Sequence, residues 1–136
     1  MNLGTKLQKL EKYARPTLRI GLCLVFFYFS SQQFMDPDYW ASSYVPQWAL
    51  PFGLSAKTVV LFNACAELIF GILLLLGLFT RISALILSIH LFFITISLGY
   101  SELGARDFGL MIATFSVFMS GPDQYCLDKK LFYKNL

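Results

Sequence analysis

Charge is what this chain has least of: Asp, Glu, Lys and Arg make up 14% of it, against about 25% in a typical globular protein. The charges sit in the tails and connections and leave long uncharged stretches between them. A soluble domain of 136 residues would have a modest core under a charged surface; apolar residues at 57% with this segregation argue for lipid instead. Cysteine is scarce, and Cys23, Cys65 and Cys126 form no C-x-x-C. That argues against a redox pair and against a disulfide-generating enzyme that oxidises thiols with quinone. One histidine is present, too few ligands for a metal site, which needs three or four. No Ser-His-Asp arrangement, Gly-rich phosphate loop or nucleophile elbow occurs, so the isolated chain shows no complete catalytic site. A net charge of +3 with no basic run among exposed aromatics argues against nucleic acid.

Four segments are long and apolar enough to span a bilayer, for which roughly 17–25 residues are needed. They run over 17–34, 58–79, 82–100 and 104–120. The basic start resembles a signal peptide, but the apolar run after it is too long and Ser30-Ser31-Gln32-Gln33 is no cleavage site; an uncleaved first helix is expected. The short connections after the second and third spans predict antiparallel neighbours. The expected fold is therefore all-α: a polytopic membrane protein, an antiparallel bundle of four transmembrane helices in one domain.

Orientation follows the positive-inside rule. Lys6, Lys9, Lys12, Arg15, Arg19, Arg81, Lys129, Lys130 and Lys134 fall on one side, and only Lys57 and Arg106 on the other. Both termini are expected in the cytoplasm of a cell (inner or plasma) membrane, with Arg19 snorkelling to the inner surface. The long connection 35–57 then faces outward. It carries Pro37, Pro46 and Pro51 among Tyr39, Trp40, Tyr44, Trp48 and Phe52. Such a segment lies at the headgroup level, as an aromatic anchor or as a short helix over the bundle mouth.

An ionisable side chain in mid-membrane needs a partner, a cavity or a purpose. Glu67 stands about 14 Å below the outer end of its span at 1.5 Å per residue. His90 reaches a similar depth on the neighbouring span, so a Glu67–His90 pair is expected. Asn63, Glu67 and Gly71 form one stripe, Ser83, His90 and Ser97 a second, and Arg106, Gly109, Ala113, Ser116 and Ser120 a third. All three stripes can face a common interior. Each residue has a plain alternative. Glu67 can be a carboxylic acid bonded to a neighbouring helix, and His90 a satisfied interior side chain. Arg106 and Asp107 can pair locally or with Glu102, or Arg106 can meet a carbonyl or anionic group at the mouth. Gln33 can bond a ligand or cap its helix.

Glu67-Leu-Ile-Phe-Gly71 followed by Leu-Leu-Leu-Leu-Gly77-Leu-Phe-Thr80-Arg81 resembles the second helix and inner turn of the DoxX family. Arg106-Asp107-x-Gly109 and the closing Gly121-Pro122-x-x-x-x-Leu127-Asp128 resemble the same family. The resemblance covers roughly residues 15–130. It implies a DoxX/DoxD-like four-helix bundle, a fold whose members include a small subunit of thiosulfate:quinone oxidoreductase, partners of redox-defence enzymes and assembly chaperones. Where the family often has Gly-x-x-Lys, this chain reads Ser30-Ser31-Gln32-Gln33, which argues against a lysine-dependent site. Cys126 stands where Ser is common. Two functions are expected from different classes. One is an accessory subunit of a membrane redox complex that binds a quinone or similar lipophile near Glu67, His90, Asn63, Arg106, Asp107 and Gln33. The other is a non-catalytic scaffold or assembly factor. Membrane lipid and a protein partner are expected in either case, with a homo-oligomer as a further option.

Overall fold

The computed structural model describes residues 3–132, with side-chain surroundings described for 7 and for 9–132. The side chain of Lys6 and the whole of Lys134, both counted in the charge bias, lie outside the described residues. Six α-helices follow one another: α1 Leu3–Met35, α2 Pro37–Tyr44, α3 Ala56–Leu76, α4 Thr80–Leu98, α5 Glu102–Ser120 and α6 Leu127–Leu131. No strand occurs among the described residues.

The first helix starts well before the expected boundary at Thr17. Residues 3–15 are rich in Leu, Lys, Gln, Glu and Ala, all good helix formers. Apolarity marks where lipid begins, not where a helix does. Pro16 lies inside α1, at the cost of one backbone hydrogen bond. At 33 residues the helix is about 50 Å long. Local capping sets the other starts. Asp36 accepts from the Tyr39 N–H ahead of Pro37, Ser55 from Thr58, and Ser101 from Gly104.

Helices α3 and α4 are long and apolar enough to cross a membrane. The other two long helices do not meet that measure: α1 carries Arg15 and Arg19, and α5 carries Glu102, Arg106 and Asp107. In the packing, α1 lies against α3 and α5, and α4 against α5 and α3, while α2 rests on α3 and α1. The polarity is inverted relative to a soluble protein. Leu24, Phe62, Ile69, Ile82 and Phe93 are exposed, whereas Arg19, Gln33, Glu67, Asp107, Asp123 and Asp128 are buried. Leu22, Cys23, Phe26, Leu74, Ala84, Leu87, Leu91 and Val117 form the apolar core. The small Cys23 and Ala84, both fully buried, let backbones approach closely.

Polar contacts lock the end where α3 turns into α4. Arg19 does not snorkel outward. It is 3% exposed and donates from Nε to Asp123 Oδ2 at 2.7 Å, and from Nη1 to the carbonyls of Leu74 at 2.7 Å and Leu75 at 2.6 Å. Those carbonyls belong to the last turn of α3, where a cation is favoured by unpaired oxygens and the helix dipole. Burial drives the Asp123 carboxyl upward, but donation from Arg19 and the Tyr125 N–H outweighs it and holds the group below the ordinary carboxylate value. Asp128 accepts from the N–H of Phe79 and of Thr80, each at 2.7 Å. It thereby caps α4 and holds Phe79 in the left-handed region at φ 50°. The Asp128 N–H in turn bonds the Gly77 carbonyl at 2.9 Å. Cys126 fits the niche over Gly77, where burial pushes its thiol up.

Candidate functional site

A cavity of about 260 Å³ occupies the opposite end of the molecule, where α1 leads into α2. Its walls come from α1, α3, α4, α5 and the connection containing α2. Gln33, Asn63, Glu67, His90, Arg106 and Asp107 all line it. The three stripes thus meet only in part. Gly71 packs on Phe26 and Phe27 of α1, and Ser83 is fully buried with its Oγ unpaired. On α5 the expected stripe is displaced. Gly109 and Ser120 are exposed, and the buried face is Gly104, Asp107, Thr114 and Val117. The small-residue edge was a poor guide because Asp107, held by Arg106, turns inward in its place.

The polar floor joins α1 to α3. Gln33 donates from Nε2 to Glu67 Oε2 at 3.0 Å, and Asn63 donates from Nδ2 to Gln33 Oε1 at 2.7 Å and to Glu67 Oε1 at 3.4 Å. Gln33, 3% exposed, is therefore a member of this cluster and not a helix cap. One helical turn between Asn63 and Glu67 puts both on the same face of α3. Both Glu67 oxygens accept from side-chain amides.

His90 and Glu67 are brought together: Nε2 stands 3.8 Å from Oε1. That is too long for a hydrogen bond, and His90 Nε2 is buried without a partner. The ring edge nonetheless reaches the cavity, the side chain being 22% exposed. An imidazole nitrogen left unpaired beside a carboxyl group is a ready donor or acceptor for a third molecule.

Arg106 pairs with its neighbour Asp107 and not with Glu102: Nε and Nη2 lie 2.7 Å and 2.6 Å from Asp107 Oδ1. Its guanidinium also stacks on Phe29, 3.9 Å from the ring centroid. Phe29 meets Trp40 edge-on at 6.1 Å, and Trp40 meets Tyr44 at 5.0 Å. Trp40, Tyr44, Val45, Pro46 and Ala49 line the cavity, so the connection 35–57 forms part of its wall. Tyr44 is itself half-buried, and its phenol's value is raised by its hydrogen bond with Tyr39.

The role of Phe29 was not legible in the sequence, since nothing distinguishes it among the aromatic residues of its helix. Asp123 was also missed, and Asp128 was read only as part of a motif, without its role at the start of α4. Their signal was the acidic pair following the end of α5, each three or more residues from any expected span. Among the described residues, no group of three His, Cys, Asp or Glu side chains can hold a metal ion.

Comparison with protein-family models finds a match to DoxX over residues 15–99, well over half of the chain. That stretch includes Arg19, Gln33, Asn63, Glu67 and His90. No curated protein and no solved structure matches the chain.

Proposed function

The chain belongs to the DoxX family of membrane proteins, and from that premise we propose that it receives a quinone or similar ring-bearing lipophile as an accessory subunit of a membrane redox complex. In this reading all four long helices cross the inner (plasma) membrane as an antiparallel bundle. Both termini are cytoplasmic and the cavity faces the outer leaflet. The inward placement of Arg19 on α1 and Asp107 on α5 supports spans through these two helices, because both side chains are shielded from lipid by the other helices.

The observation that carries the proposal is the unpaired His90 Nε2 beside Glu67 in a cavity whose walls are mostly apolar. A ring with carbonyl or hydroxyl oxygens would bond His90, with the Gln33–Asn63–Glu67 cluster holding the adjacent carboxyl in place. Phe26, Phe29 and Leu91 offer apolar faces to the ring. Arg106 and Asp107 supply a donor and an acceptor on the far wall. Trp40 in the wall provides a signal. Titration with a short-tailed benzoquinone should quench tryptophan fluorescence saturably, and His90→Ala should weaken the affinity about tenfold, the worth of one hydrogen bond of about 1.4 kcal/mol. Linear, unsaturable quenching that is the same in both proteins would contradict the proposal.

One observation favours the scaffold reading. Gln33, Asn63 and Glu67 satisfy one another between α1 and α3, as polar groups that merely join helices would. Under that reading a protein partner would copurify, with no saturable quenching by the quinone.

A further inference from the structure

The cavity is small for a whole lipid. At about 260 Å³ it falls just under the range of ~300–1,000 Å³ that encloses a drug-sized ligand. It has room for one substituted ring and none for a long tail, so a tailed ligand needs an open side through which the tail leaves. The side facing α2 is built up by the stacked series Arg106, Phe29, Trp40 and Tyr44. Between α4 and α5 the packing is close along the helices, with Ser88 Oγ donating to the Met111 carbonyl at 3.2 Å.

Another side lies between α3 and α4. These helices are joined by the short turn at 77–79, and near it α4 is well covered: Thr80, Ser83, Ala84, Leu87, Ser88 and Leu91 are buried. Beyond Leu91 no residue of α4 is buried. Phe93, Ile94 and Ser97 nevertheless line the cavity, and Phe93 is 62% exposed. A residue that both lines a cavity and faces outward marks the cavity's rim. The α3–α4 hairpin is thus a fork closed at its turn, with α4 least covered toward the other end, where it lines the cavity.

We infer that the cavity opens sideways into the bilayer between the outer halves of α3 and α4, and that its ligand is a tailed amphiphile. The ring enters first toward His90, and the apolar tail stays among the lipids past Phe93. This rests on the lipophile reading above and adds to it a route and a ligand architecture.

The test uses the unaltered protein in nanodiscs of phosphatidylcholine carrying a diazirine in mid acyl chain. Irradiation is followed by mass-spectrometric mapping of the crosslinks. Val60 and Leu91, 4% and 3% exposed, line the cavity and can be reached only through it. Crosslinks at these two residues, in addition to those on outward residues such as Phe62 and Ile69, are expected. Ile94→Trp, which narrows the fork, should reduce the inner crosslinks at least about fivefold and leave those at Phe62 and Ile69 unchanged. Crosslinks confined to outward residues would overturn the inference. So would inner crosslinks that Ile94→Trp does not reduce, or preferential labelling of Val60 and Leu91 by a water-soluble diazirine. No quinone takes part, so a failed quinone titration alongside inner crosslinks would remove the ligand and leave the doorway standing.

Discussion

Replacing Asp123 with Asn keeps the side chain's shape and removes the charge that faces Arg19. The pair is buried at 3% and 4% exposure, with Nε and Oδ2 2.7 Å apart. Removing one partner of such a pair costs about 3–5 kcal/mol, because the other charge stays buried and uncompensated. Arg19 here keeps its bonds to the carbonyls of Leu74 and Leu75, at a helix end whose dipole favours a cation. That offsets part of the loss, and Asp123→Asn should cost about 2–3 kcal/mol. Arg19→Met removes charge and carbonyl bonds together and should cost more, while the double variant should cost less than the sum of the two. Acid acts on the same contact. The Asp123 value is depressed in the folded protein, so its contribution is fully present above the unfolded value of about 3.9 and is lost as pH falls through the folded value. Equilibrium unfolding in mixed micelles should therefore show a plateau from about pH 8 to 5 and a fall below about pH 4, shallower in Asp123→Asn. A loss of under about 0.5 kcal/mol, typical of an exposed pair, would refute the buried lock and restore a snorkelling Arg19.

Other predictions follow from single contacts. Gly77→Ala should cost about 2–4 kcal/mol, because φ is +67° and a Cβ would stand 2.5 Å from Cys126 Cα; Cys126→Ala should not rescue it, since that Cα remains. Asp128→Ala should cost about 1–2 kcal/mol by uncapping α4 and freeing the Phe79 N–H. Gly109→Ala, with nothing within 4 Å of the new methyl, should be neutral or stabilise by up to about 1 kcal/mol. Gly104→Ala should destabilise clearly against the Gly99 carbonyl, and comparing the two by thermal unfolding checks which face of α5 is inward. Glu67→Gln leaves one acceptor oxygen where two amide donors converge and should cost about 1–2 kcal/mol without unfolding the protein.

What could be read from the sequence was whatever depends on composition and local spacing. The helical class and the depth relation of Glu67 and His90 follow from apolar run lengths and a 1.5 Å rise, and the DoxX resemblance from short motifs at Glu67–Gly71, Gly77–Arg81, Arg106–Gly109 and Gly121–Asp128. Asn63, Glu67, His90 and Arg106 were expected on stripes that can share an interior, and all four line one cavity; Gln33 and Asp107, left open between a ligand and a local partner, line it too. Side-chain direction at a helix end was harder. Arg19 can reach water or the carbonyls of α3, and only the position of Asp123, far off in the sequence, decides between them. The inward face of α5 went astray for a related reason. Spacing of small residues marks two possible faces one residue apart, and the Arg106–Asp107 pair selects between them. Helix boundaries read from hydropathy stop at the lipid, so the extension of α1 to Leu3 lay beyond their reach.

The most direct test of the cavity's purpose is mass spectrometry of lipophilic molecules retained by gently purified protein, wild type beside Glu67→Gln. The account predicts one tailed, ring-bearing molecule per wild-type chain, lost from a Glu67→Gln protein that remains folded. Bulk phospholipid alone in both samples would contradict it and leave Gln33, Asn63 and Glu67 as the polar join of a scaffold.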